Sequence, residues 1–237
     1  MKYIVLFIVL VSMNSLFAKE ITVISESWDG ATNHDGSGLY WDIVQKVYEP
    51  LGYTVVKKNA SYAKSVKAVR MDQADLWLGS YKDEKAFALY PKYHLDQAVI
   101  LAVFHSELFE QWKGQKSLEG LKVAWIRGYD YSKYLSTKVI SQEVNELANG
   151  LKLLKSERID VFIDNKKDLL EPMQRYRLDN DNYMTKIILQ LKLYPAFSNS
   201  KKGKELRKIW DERMKELIET TEFKELYFNS EYTLFPY

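Results

Sequence analysis

Cysteine is absent from the 237 residues. That excludes a disulfide framework, a thiol nucleophile, a zinc–thiolate centre and lipid attachment through an N-terminal Cys. Histidine occurs only as His34, His94 and His105, and no two of these have the His-x-x-x-His spacing of a helical metal site. No Gly-x-Ser-x-Gly elbow is present. Neither charge sign dominates: 34 Lys and Arg stand against 32 Asp and Glu. A chain so near neutrality lacks the basic surplus with which proteins neutralise phosphates, so no nucleic-acid partner is expected. Five prolines and ten glycines leave no linker rich in Pro, Gly or Ser and no low-complexity segment.

Residues 1–18 have the layout of a secretory leader. Lys2 precedes the apolar run Tyr3–Val11, and a polar stretch with Ser12, Asn14 and Ser15 ends in the small Ala18. The apolar run is too short to span a bilayer comfortably, so cleavage after Ala18 and release to the periplasm are expected rather than anchoring. The remaining chain has an ample apolar fraction, 46% overall, for one or two cores. Seventeen Tyr and six Trp exceed ordinary usage. Most such rings serve packing, but they also line clefts that hold small polar solutes.

A pattern occurs twice: a helical stretch, a polar turn, an Asp, then a short apolar strand ending at polar residues. The first copy runs from Arg70 through Asp75-Leu76-Trp77-Leu78 to Ser80, the second from Ser156 through Asp160-Val161-Phe162-Ile163 to Asn165. Short apolar runs fed by helices read as buried strands of parallel sheets, and two copies point to two α/β lobes. Around them the spacing predicts strands at Ile21–Ile24, Tyr53–Val56, Ala98–Phe104, Leu121–Ile126 and Ile187–Leu191. Tyr40, Ile43, Val44, Val47, Tyr48 and Leu51 share one helical face, ended by Pro50 and Gly52. Further helices are predicted over Tyr62–Val69, from about Ser132, up to Ser156, and over Lys204–Glu219, the last packing on the body. In open α/β sheets the ligand crevice lies beyond the strands' carboxyl ends. Ser80, Tyr81, Asp164 and Asn165 are therefore candidates, with Arg127 and Tyr129 after the strand that turns at Gly128.

The order of elements resembles the family 3 periplasmic solute-binding proteins, the amino-acid-binding branch of the type II periplasmic binding fold. The residues that carry it are Gly38-Leu39-Tyr40-Trp41-Asp42-Ile43, Gln73 to Gly79, Ser117 to Val123, Arg127-Gly128, Ile159 to Asp164, and Ala196-Phe197-Ser198-Asn199 before an amphipathic helix. The resemblance implies an α/β fold of two lobes, each a mostly parallel sheet flanked by helices. Lobe I would be 19–104 with 195–237 and lobe II 105–194, joined by hinges near Val103–Glu107 and Leu191–Ala196. It implies a monomeric binder that closes on a small-molecule solute, an amino acid or related amine, with no cofactor and no catalysis. An ABC transporter permease or a membrane sensor protein would read the closed state.

The same resemblance assigns Asp164 to a ligand ammonium and Trp28 to an aromatic platform. The family's Thr-x-x-Arg, which forks onto a ligand carboxylate, is replaced by Lys82-Asp83-Glu84-Lys85. Lys85 supplies a charge there but not the planar fork. Structural alternatives stand beside each reading: Asp164 as a helix N-cap, Lys85 as a solvated lysine, Arg127 in a surface ion pair. Asp42, Asp75 and Asp160 read as structural. The expected ligand set is Trp28, Ser80, Tyr81, Lys85, Arg127, Tyr129 and Asp164. An enzyme on the same fold is the remaining alternative, with Glu26, just after the first strand, as its acid–base candidate.

Overall fold

The computed structural model describes residues 19–179, 181–230 and 232–237; the expected leader, 1–18, lies outside the described residues. Its strands are β1 (Lys19–Ser25), β2 (Tyr53–Asn59), β3 (Leu76–Tyr81), β4 (Asp96–His105), β5 (Lys122–Ile126), β6 (Ile140–Val144), β7 (Val161–Asn165) and β8 (Tyr183–Phe197). Its α-helices are α1 (Leu39–Tyr48), α2 (Tyr62–Arg70), α3 (Leu147–Lys155), α4 (Lys166–Arg175), α5 (Lys201–Leu217) and α6 (Thr221–Ser230). The strands form one sheet in the order β2-β1-β3-β8-β4-β7-β5-β6. That order is two like halves set back to back. β1 pairs in parallel with β2 and β3, and β5 pairs in parallel with β6 and β7. Antiparallel β4 and β8 join the halves at the centre.

The repeated sequence pattern becomes a repeated hydrogen-bond pattern. α2 and α3 each end at a residue with left-handed backbone, Asp72 (φ 55°) and Glu157 (φ 56°). The following N–H turns back onto the helix: Gln73 N–H donates to Ala68 O at 2.8 Å and Arg158 N–H to Leu153 O at 3.0 Å. Each pattern's Asp then grips the first strand of its half twice. Asp75 N–H donates to Thr22 O at 2.9 Å, and its Oδ2 accepts Thr22 N–H at 2.8 Å. Asp160 N–H donates to Lys122 O at 2.9 Å, and its Oδ2 accepts Lys122 N–H at 2.7 Å. Both aspartates are structural, and their two-point grip fixes the register of the parallel pairs.

The apolar face of α1 buries Leu39, Tyr40, Trp41, Ile43, Val44, Val47 and Tyr48. α5 lays Leu206, Trp210 and Met214 against it, and Tyr48 OH donates to Leu206 O at 2.9 Å. Every residue of β3 is buried, as a continuous apolar run in a doubly covered sheet requires. At the start of β4, Asp96 is 1% exposed and accepts three side-chain hydrogen bonds: Tyr40 OH at 2.8 Å, Lys167 Nζ at 2.9 Å and Thr233 Oγ1 at 2.7 Å.

Two expectations need correction. The helix expected from Ser132 is a single 3₁₀ turn, Tyr131–Lys133, and the exposed edge strand β6 follows. Ser136 explains the break, because its N–H and Oγ both donate to Gln115 Oε1 and hold the chain out of helical conformation. The cap of α4 is Asn165, whose side chain accepts Lys167 N–H, and not Asp164, which is still inside β7. β4 is paired with β7 from Ile100 to Phe104, and its pairing with β8 shifts register between Ile100 and Leu101.

Candidate functional site

The carboxyl ends of β1, β3, β5 and β7 face one another across the junction of the two halves, and the segments that leave them carry the candidate side chains. Trp28, three residues beyond β1, donates from Nε1 to Tyr129 OH at 3.2 Å. Tyr129, three beyond β5, donates from that hydroxyl to Glu26 Oε2 at 3.3 Å. The Tyr62 ring stands edge-on to Tyr129 at 5.4 Å, and Tyr81 OH donates to Tyr131 OH at 3.2 Å. The indole of Trp28 packs closely on β3 at Gly79, where a Cβ would meet Trp28 Cη2 at 2.4 Å and where φ is +78°. Only glycine satisfies both demands.

The Trp28–Tyr129 pair divides the junction into two spaces. One is an aromatic cavity of about 30 Å³, walled by rings that include Trp28, Tyr62, Tyr81, Tyr129 and Tyr131. It has room for a water or two and no more. The other is a recess of about 310 Å³ lined by Glu26, Asp29, Glu146, Asp164 and Asp168 beside Trp28 and Tyr129. Neither space has a Lys or Arg in its lining.

Three of the recess carboxyls, Glu26, Asp164 and Asp168, titrate high for one main reason. Burial raises Glu26, and its hydrogen bond from Tyr129 offsets only part of that. Burial raises Asp164 well above the ordinary aspartate range, with the neighbouring charge of Asp168 adding to it. Burial lifts Asp168 to about 6, against the pull of Lys167 and with help from Glu26. Desolvated like charges held together favour the protonated form of each. Asp164 is 1% exposed and accepts one hydrogen bond, from Asn165 N–H at 2.8 Å. Asp168 accepts none among the described residues.

Of the residues expected to bind ligand, Trp28 and Tyr129 border both spaces, Tyr81 the aromatic cavity and Asp164 the recess. Ser80 is fully buried, with its Oγ bonded to Glu84 Oε2 at 2.9 Å. Lys85 lies outside both linings, with Nζ 3.1 Å from Glu84 Oε1 and 2.9 Å from Asp130 Oδ2. Arg127 is exposed and also outside both. Glu84, in the stretch that replaces the family's Thr-x-x-Arg, is buried and accepts Tyr62 OH at 2.6 Å and Tyr81 N–H at 3.2 Å. Sequence reasoning missed Asp168, Tyr62 and Tyr232. Asp168 had a signal: it falls one helical turn after Asp164, at the start of the helix that Asn165 caps.

No protein-family model matches the chain, and no curated protein matches it in sequence. Solved structures do match over nearly all of it. A histidine kinase sensor domain with similarity to periplasmic binding proteins aligns with TM-score 0.70 at 17% identity, covering 90% of this chain and 95% of that one. An ABC uptake transporter substrate-binding protein from Streptococcus pneumoniae with bound histidine aligns with TM-score 0.67 at 16% identity, covering 89% and 91%. An ancestral amino-acid-binding protein, a precursor of cyclohexadienyl dehydratase, aligns with TM-score 0.65 at 13% identity, covering 89% and 94%. A sensor, a transport protein and a forerunner of an enzyme share this architecture, so the likeness speaks to fold and not to activity. With its paired parallel half-sheets joined by two central antiparallel strands, the chain has the two-lobed fold of the periplasmic binding proteins.

Proposed function

We propose that this chain is an exported solute-binding protein whose lobes, 19–104 with 195–237 and 105–194, close on a small polar solute bearing an amino group and hand it to a membrane transporter. The observation that carries the reading is the recess between the halves. Its carboxyls, buried Asp164 and half-buried Asp168, keep oxygens that no donor of the described residues reaches and to which a protonated amine would donate, beside the indole of Trp28. Glu26 comes from the first half and Asp164 from the second, so a solute touching both is held fully only when the lobes are together. Binding then shifts the population toward closure by that difference in affinity.

A second reading keeps the binding step and changes the listener: the closed form reports to a membrane signalling receptor. The similarity to a kinase sensor domain and the missing carboxylate-binding Arg support it. Permease and ATPase genes beside this one would favour uptake, and a membrane signalling gene would favour sensing. The binding step is tested by a thermal-shift screen of residues 19–237 against amino acids, amines, organic acids and short peptides. A solute at a hundred times its Kd adds about 2.7 kcal/mol to the folded state. A clear hit recovered chemically intact supports a binding protein. No hit from folded, ligand-free protein overturns it, and a hit that is consumed makes the chain an enzyme. Intact mass of the exported protein tests the leader: a mass that retains Met1 to Ala18 overturns cleavage.

A further inference from the structure

We infer that the solute is an organic polycation without a carboxylate, an aliphatic polyamine or a guanidinoalkyl amine, and not an α-amino acid. This rests on the solute-binding reading and narrows it. Five acidic side chains, Glu26, Asp29, Glu146, Asp164 and Asp168, line the recess, and no basic one lines either space. The two cations that could have held a ligand carboxylate are out of place: Lys85 is committed to Glu84 and Asp130, and Arg127 is exposed and away from both linings. An amino acid would set its carboxylate among acidic side chains with no basic one to receive it, a penalty its cationic end must first overcome.

The acceptors are also unfinished. Asp164, 1% exposed, has one oxygen bonded to Asn165 N–H and the other without a donor among the described residues, and half-buried Asp168 has none among them. Carboxylate oxygens that border a recess and have no protein donor are open to an entering group with N–H to offer. Both carboxyls border the recess, so the donor is a group that enters it. Among the described residues no three acidic or His side chains stand close enough to hold a metal ion. The acidic side chains are therefore spread along the recess, which suits an extended cation with N–H groups at two or more points. Trp28 and Tyr129 give the intervening methylenes an apolar wall and the charges a π face. A quaternary ammonium has no N–H to offer Asp164 and fits less well.

The test is titration calorimetry of the purified chain with matched pairs: agmatine against arginine, and putrescine against ornithine, each pair sharing a cation and differing by the α-carboxylate. Spermidine, choline and a set of neutral and acidic amino acids complete the panel. The carboxylate-free member of each pair is expected to bind at least about tenfold more tightly, as one charged hydrogen bond gained or lost would give. Arginine or ornithine binding as tightly as its partner, choline binding more tightly than putrescine, or binding confined to neutral or acidic amino acids overturns the polycation and leaves solute binding standing. Heat from none of the panel, with no hit in the wider thermal screen, overturns both. Asp168→Asn and Glu26→Gln are each expected to weaken the tightest amine by about tenfold without lowering the melting temperature of the free protein. Unchanged affinity in both, with binding still present, overturns this recess as the site.

Discussion

Replacing Asp168 with Asn should make the free protein more stable at neutral pH, and its size can be worked out. Burial, partly offset by Lys167, lifts this carboxyl to about 6 from the ordinary aspartate value of 3.8. The folded state therefore holds the proton more tightly than the unfolded chain does. Stability from this group is complete below about pH 4 and is lost as pH rises through about 6. About two pH units at 1.36 kcal/mol each set a ceiling near 3 kcal/mol for that loss. Glu26 and Asp164 are raised too and add losses of the same sign, so the proton is shared and the slope belongs to the cluster. Asn has the same shape and cannot ionise. At pH 7 the variant should exceed the wild type by about 1 to 3 kcal/mol, and at pH 4.5 the difference should be much smaller. Urea unfolding of both proteins from pH 4.5 to 7.5 measures it, and a melting-temperature gap of about 2–4 °C per kcal/mol provides a second reading. A difference that does not change with pH, or a wild type more stable than the variant at pH 7, would refute the argument. Because the same change should weaken amine binding, stability and affinity should move in opposite directions, the mark of a residue kept for function.

Other changes test neighbouring claims. Asp164→Asn should weaken the bound amine by about 1.5 to 3 kcal/mol in calorimetry, the range for a charge-assisted hydrogen bond; an unchanged Kd would make Asp164 purely structural. Lys85→Met should leave Kd within about threefold and yet cost about 2 to 4 kcal/mol in urea unfolding, because it strips buried Glu84 of its cation 3.1 Å away. A large loss of affinity in this variant would put Lys85 back in the site. Gly203→Ala, which in an ordinary helix interior gains up to about 1 kcal/mol, should instead destabilise by about 1 to 3 kcal/mol, since the new Cβ would sit 2.0 Å from Ser198 O. A raised melting temperature would contradict the tight seating of α5.

What could be read from the sequence was whatever local periodicity encodes. The α1 face and the apolar runs of β3 and β7 emerged because burial writes 3.6- and continuous-apolar patterns directly into the chain. The duplicated Asp75 and Asp160 were visible for the same reason, as local turn chemistry. β6 was not visible: an exposed edge strand with Ile140 to Glu143 in solvent carries no burial signal. Within the site, Trp28 and Tyr129 could be placed because each follows the end of a strand, and Asp164 because it stands near the carboxyl end of one. The exclusion of Lys85 could not, since it depends on Asp130, 45 residues away in sequence. Tyr232 reaches the aromatic cavity only through tertiary packing against Tyr40 and Gly30.

Asp96 also bears on the rates at which this fold forms and comes apart. Its three side-chain partners lie 56, 71 and 137 residues away along the chain. Bringing such distant segments to one carboxylate requires much loop-closure entropy to be spent first, so these bonds are expected to form late in folding, with a low φ-value for Thr233→Val as the check. Interactions completed on the native side of a barrier act on unfolding, not on folding. The Tyr40–Asp96–Lys167–Thr233 node should then act as a lock on persistence: loosening it is expected to shorten the lifetime of the folded protein and to leave its speed of assembly nearly untouched.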